Sequence, residues 1–204
     1  MMKIFNTIIM LLLSSAGALF AQHRNPLGEL YASFTSSCVV MECSYTVNMS
    51  KARISGTAEV KVQDEAYQMV GNGLEVLCDG ETVWTMDPVT KEVIIEEVGT
   101  ESLAFMNNPA LLFVNLHSAF DVRKETPSED SIFYELISKV DCGMYGADLT
   151  VTLDGHLRRG VFSLVDGNTV IVEVRSMKQT KKESVTSFRP SSEFDSDWIV
   201  TDLR

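Results

Sequence analysis

The chain has 204 residues, 28 acidic against 17 basic, and a formal net charge of −11. So acidic a surface has no basic patch to neutralise phosphates, which excludes nucleic acid as a partner. Hydrophobic residues make up 45% of the chain, enough for one core of ordinary domain size.

The amino terminus reads as a leader. Lys3 precedes the apolar run Ile8–Leu13, then come small residues and Ala21 before the polar Gln22. That is the pattern of a secretory signal peptide, residues 1–21, cleaved after about Ala21. The run is too short for an anchor, which needs about 20 apolar residues. Residues 22–204 are then expected as a single exported domain, with 16 basic and 28 acidic residues and no later stretch long enough to cross a bilayer. Export permits disulfides among Cys38, Cys43, Cys78 and Cys142. Cys38 and Cys43 sit on one expected strand, pointing to opposite faces about 16 Å apart, so they do not pair with each other. Whether the others pair or stay as buried free thiols is open at this point.

From Pro26, Leu27, Leu30, Tyr31 and Phe34 follow at helical spacing. From Cys38 the pattern changes to alternation, with Val39, Met41, Cys43, Tyr45, Val47 and Met49 on one face. Residues 52–63 repeat it through Ile54, Gly56, Ala58, Val60 and Val62, as a long antiparallel partner. A shorter strand over 66–70 turns at Gly71-Asn72-Gly73 into a three-stranded meander over 74–98. Asp79-Gly80 and Asp87-Pro88 supply its reversals. Its middle strand carries Val83, Trp84 and Met86.

Residues 100–119 interrupt the strands. Leu103, Phe105 and Met106 precede Asn107-Asn108-Pro109, where Asn108 can cap a helix and Pro109 suits its first turn. The following Ala110–Leu116 is apolar but for Asn115. A helix greasy around most of its circumference is either buried or meets something apolar on its second side. Strands resume over 120–124, 132–140, 149–153, 157–165 and 169–177, with 184–188 as a last edge strand and 191–204 as a tail. Ten or eleven antiparallel strands, closed or nearly so, exceed the eight whose interior side chains alone can fill a barrel, leaving room for a ligand.

Catalytic constellations are scarce. His23, His117 and His156 belong to no metal-binding motif, there is no G-x-S-x-G elbow, and no glycine loop fits a phosphate. No catalytic residue, metal or cofactor is expected. The methionines at 41, 49, 69 and 86, with the greasy mid-chain helix, point instead to a sheet that stores something oily on its concave side. Burying acyl chain at about 0.8 kcal/mol per CH₂ would make such a site strong without designed polar contacts.

Several pieces arrive in one order: L-C-D-G-E-T-V-W-T-M-D-P at 77–88, N-P-A-L-L-F-V at 108–114, F-D-V at 120–122, and F-D-x-D-W-I-V-T-D-L-R ending at Arg204. In these the chain resembles the LolA-like family of periplasmic lipoprotein carriers, in its Bacteroidetes-type form, whose D-G-x-x-x-W segment falls at 79–84. The resemblance implies a mainly β (α+β) fold, an unclosed antiparallel β-barrel of about eleven strands with a helical lid. It implies a monomeric, non-enzymatic periplasmic chaperone that shields lipoprotein acyl chains and carries them from inner to outer membrane. Its partners would be acylated lipoproteins, an inner-membrane lipoprotein-releasing transporter and an outer-membrane acceptor. The cavity would be lined by Met41, Tyr45, Tyr67, Met69, Trp84 and Met86. The lid would comprise the amino-terminal helix with Leu103, Phe105, Leu111, Leu112, Phe113 and Leu116. Lys61 is the candidate for the family's cargo-handling basic residue, although Val62-Gln63 rather than Pro follows it. The same fold serves periplasmic regulators that sense lipids or lipoproteins and bind an anti-sigma factor; those usually carry a second domain, for which no residues remain after Arg204.

Overall fold

The computed structural model describes residues 25–98 and 113–204. The signal peptide and the lid positions Leu103, Phe105, Leu111 and Leu112 lie outside the described residues. Helix α1 (Pro26–Ser36) leads into β1 (Cys38–Asn48), β2 (Arg53–Gln63), β3 (Ala66–Gly71), β4 (Leu74–Cys78), β5 (Thr82–Asp87) and β6 (Glu92–Glu97). After the short α2 (Leu116–Ala119) come β7 (Phe120–Pro127), β8 (Ser131–Ser138), β9 (Met144–Thr152), β10 (Leu157–Leu164) and β11 (Thr169–Thr180). A 3₁₀ turn (Val185–Phe188) and β12 (Ile199–Asp202) complete the chain.

All twelve strands join one sheet in the order β12-β6-β5-β4-β3-β2-β1-β11-β10-β9-β8-β7. The edges β12 and β7 do not pair, so the barrel is unclosed. Every neighbour is antiparallel except β12, which runs parallel to β6. The sheet has twelve strands against the ten or eleven expected, and the last, β12, comes from the tail. Conversely, 184–188 is no edge strand: the Ser184 hydroxyl accepts from the Thr186 amide, and the resulting turn buries Phe188 against Cys38 and Ala66.

The alternation read in β1 and β2 sets their register, with Val39 opposite Val62, Met41 opposite Val60 and Cys43 opposite Ala58. Residues directly opposite share a face. On the face carrying Met41, here the inner face, α1 is laid down. Asn25 caps it by accepting the Gly28 amide at 3.0 Å, and Pro26 occupies the first turn, where no amide is needed. Leu30 and Phe34, one turn apart, are fully buried with Val39, Met41, Val62, Tyr67, Leu149 and Val151.

The turn between β9 and β10 fixes where α1 sits. Gly155 holds φ at 79°, and a Cβ there would fall 2.6 Å from Cβ of Glu29 in the helix. Gly155→Ala should therefore cost about 1–3 kcal/mol, combining left-handed backbone strain with displacement of α1. A drop in the urea midpoint at unchanged slope checks this; an unshifted midpoint would show that the helix yields freely.

Candidate functional site

Register carries the inner face outward from Met41. Val60, Met69 and Val76 lie in line with it across β2, β3 and β4, and Val62, Tyr67, Cys78 and Val83 form the adjoining row. Tyr45 lies opposite Gly56 on one side and Val172 on the other, and its hydroxyl accepts a hydrogen bond from the Asn72 amide group. Met41, Tyr45, Tyr67 and Met69 are thus brought to one face. Phe113 and Leu116 join the same core, and Phe113 stacks on Phe34 with ring centroids 4.4 Å apart and planes 11° from parallel.

The inner face is unevenly covered. Under α1 it is closed, whereas Tyr45, Val47, Met69, Val76, Val170 and Val172 are only half-buried, and Ile54 and Ile94 are 50% and 42% exposed. Among the described residues, this part of the face is therefore apolar and incompletely covered. The sequence-based site omits Val60, Val76, Ile94, Val170 and Val172, although the alternation in β2 and β11 is a signal that could place them. At the β7 side, a cavity of about 300 Å³ opens between α1, α2 and β7, floored by Leu27, Leu116, Phe120 and Leu136.

Trp84 and Met86 are not on this face. Trp84 lies opposite Leu77 and Ile95, and Met86 opposite Glu75 and Val93, on the reverse side of the sheet. There Leu77, Met86, Val93 and Ile95 form a separate cluster, packed against Trp84, Phe194 and Trp198. The cover is the segment from 181 to 198, which also roofs a cavity of about 420 Å³ over Leu77 and Met86. Lys61 belongs to this outer side too. Its ammonium lies 2.6 Å from Glu183 and 5.1 Å over the ring of Phe188, away from the inner face.

Polar ties fasten the covering segment: Lys182 to Asp64 at 2.7 Å, Gln63 to the Glu183 backbone, Arg189 to Asp79 at 2.7 Å, and Lys91 to Asp197 at 3.0 Å. Asp79 is the buried one, its side chain only 3% exposed. Burial pushes its pKa up, but the amides of Thr82 and Glu81 and the Arg189 guanidinium together outweigh this and hold it below the usual carboxylate value.

The four cysteines are buried thiols. Burial lifts the Cys78 thiol to about 11, and the Cys38 and Cys43 thiols also rise. These three stay protonated and pack as small apolar residues. Among the described residues no group of His, Cys, Asp and Glu is arranged to hold a metal ion, and no helix is long and apolar enough to cross a membrane. His156 lies 3.6 Å from Asp154 in an exposed turn, and His117 stands 6.0 Å from the Tyr31 ring beside the inner-face cavity.

A depressed carboxylate stabilises the fold above its unfolded pKa and loses that contribution as pH falls through the folded value. Asp79→Asn should cost about 1.5–3 kcal/mol at pH 7 through its lost charge-assisted hydrogen bonds. The gap to the unaltered protein should begin to shrink below about pH 4, the unfolded carboxyl's value, and close as pH falls through the lower folded value. Both tryptophans of the chain sit in the outer cluster, so a red-shifted emission reports the segment coming loose. A gap that persists undiminished at pH 3 would show that the charge is not what holds it.

No protein-family model matches the chain. No curated protein matches it either. Similar solved structures include an uncharacterized conserved protein from Thermus thermophilus, with a TM-score of 0.53 and 11% identity over 86% of this chain and 96% of that one. A LolA superfamily protein from Nitrosomonas europaea has a TM-score of 0.44 and 12% identity, over 81% and 96% of the two chains. A DUF1329 family protein from Desulfovibrio piger has a TM-score of 0.47 and 13% identity, over 81% and 95%. The Thermus protein shares the fold of this chain; the other two likenesses, below 0.5, support no further step.

Proposed function

We propose that the protein is a non-enzymatic periplasmic carrier whose inner face shelters the acyl chains of lipoproteins between the inner and outer membranes. The supporting observation is the two half-covered pairs Tyr45–Val172 and Met69–Val76 on the face that also carries a packed helix. Phe113 and Leu116, packed on the α1 side of this face, then act as self-contacts that cargo replaces in a two-state exchange. An inner-membrane lipoprotein-releasing transporter would load it and an outer-membrane acceptor would empty it. Lys61, tied to Glu183 on the other side, takes no part in holding acyl chains.

Adjacent residues of β3 give a parity test. Met69 faces inward, whereas Val70, opposite Glu59 and Glu75, faces outward and is exposed. Met69→Lys should weaken binding of a fluorescent fatty-acyl probe at least about tenfold, or about 1.4 kcal/mol, while Val70→Lys leaves it unchanged. Mass spectrometry of purified protein should find acylated lipoprotein or lipid. Protein that binds no probe and carries no acyl chain would end this reading.

A further inference from the structure

We infer that the edge of β12, unpaired among the described residues, is a docking strand for an extended peptide, and that the segment fitting it is the lysine-bearing polypeptide that follows the acyl group of the cargo. This rests on the carrier reading above and adds to it a second, backbone-mediated contact.

The two edges of the sheet are built differently. β7 carries Asp121, Arg123, Lys124, Glu125 and Pro127 and a register shift between Val122 and Lys124, all features that discourage strand addition. β12 reads Ile199-Val200-Thr201-Asp202, mostly β-branched, and all four residues are exposed. Its inward-bonding groups are accounted for: the Ile199 amide donates to the Lys91 carbonyl and the Leu203 amide to that of Ile95. Alternation along a strand then turns the backbone groups of Val200 and Asp202 to the free side, where an added strand bonds.

Position ties this edge to the acyl site. Ile199, Thr201 and Leu203 share the side of the sheet that carries Ile94, and Ile94 continues through Thr85 and Val76 to Met69. Ile199 and Leu203 are 60% and 62% exposed, so apolar side chains reach the edge on the inner side, beside Glu92 and Thr85. Charge selects the occupant. Lys91 is paired with Asp197 and Arg204 with Asp202, so among the described residues Glu92, Glu96 and Glu97 of β6 set the sign of the charge beside the strand. A second copy of this chain, itself at −11, is repelled, and a lysine-bearing segment is drawn in.

The test uses the full chain and three probes: a fluorescent fatty acid, a palmitoylated peptide of alternating Lys and Val, and the same peptide N-methylated at alternate residues. The acylated peptide should bind at least about tenfold tighter than the fatty acid, and N-methylation should remove that gain. Val200→Pro should remove it too, because the lost N–H is one that β6 does not use, and thermal melting confirms the fold. The fatty acid itself should bind Val200→Pro as it binds the unaltered protein. Equal affinity for peptide and fatty acid, or a gain that survives both N-methylation and Val200→Pro, overturns the edge proposal and leaves the carrier reading standing. Failure of every acylated probe to bind overturns both.

Discussion

Leu30 and Phe34 of α1, buried against Val39, Met41, Val62 and Tyr67, make the contact on which the architecture turns. A sheet with open edges and apolar side chains on both faces cannot stand alone in water, because each face must be removed from solvent. The two ends of the chain divide that work. The amino-terminal helix closes part of the inner face, and the segment leading to β12 closes the outer face over β3–β6 with Phe188, Phe194 and Trp198. Neither cover is interchangeable with the other. The helix is held mainly by apolar burial, whereas the carboxyl-terminal segment is also pinned by ion pairs, of which the one to Asp79 meets the most buried carboxylate.

What is legible in the sequence follows from the range of each interaction. Period-two alternation in β1 and β2 gives their pairing and the shared side of Met41, Tyr45 and Val60, since it depends only on neighbours along the strand. Asp79-Gly80 gives the hairpin between β4 and β5 for the same reason. The alternation in β5 equally separates Val83 from Trp84, but it does not say which of the two looks inward. That is decided by partners more than 100 residues away, Phe194 and Trp198, which pack with Trp84 against the outer side at this point. The cavity lining implied by the family resemblance puts Trp84 and Met86 on the inner face, whereas the register turns them outward. Lys61 alternates with Val60 and Val62, and its outward face, beside Glu183, follows that pattern. The tail reads as irregular because a four-residue strand pairing parallel to β6 carries too little periodicity to announce itself.

The buried cysteines fit this division. Cys38 packs under Phe188 on the outer side, while Cys78 lies in the inner core beside Tyr67. Burial raises their pKa values, so neither is a poised nucleophile, and each serves its own layer as a small apolar side chain.

The inner face separates stability from function along its own length. Residues beneath α1 are almost wholly buried, and truncating any of them removes packing that the fold depends on. Towards Ile54, Ile94 and Val172 the same face is half-exposed, so those side chains contribute much less burial to the folded state, at about 25 cal/mol per Å² of area actually removed from water. A protein needing only to be stable gains by covering or replacing such residues with polar ones. Leaving them apolar and partly wet is costly to solubility in a chain that is otherwise strongly acidic, and that cost is offset only if an apolar partner supplies the missing contacts. On the carrier reading, the half-exposed part of the face is where ligand affinity can be tuned with little effect on folding, and the part under α1 is where the sheet is held in the shape that presents it.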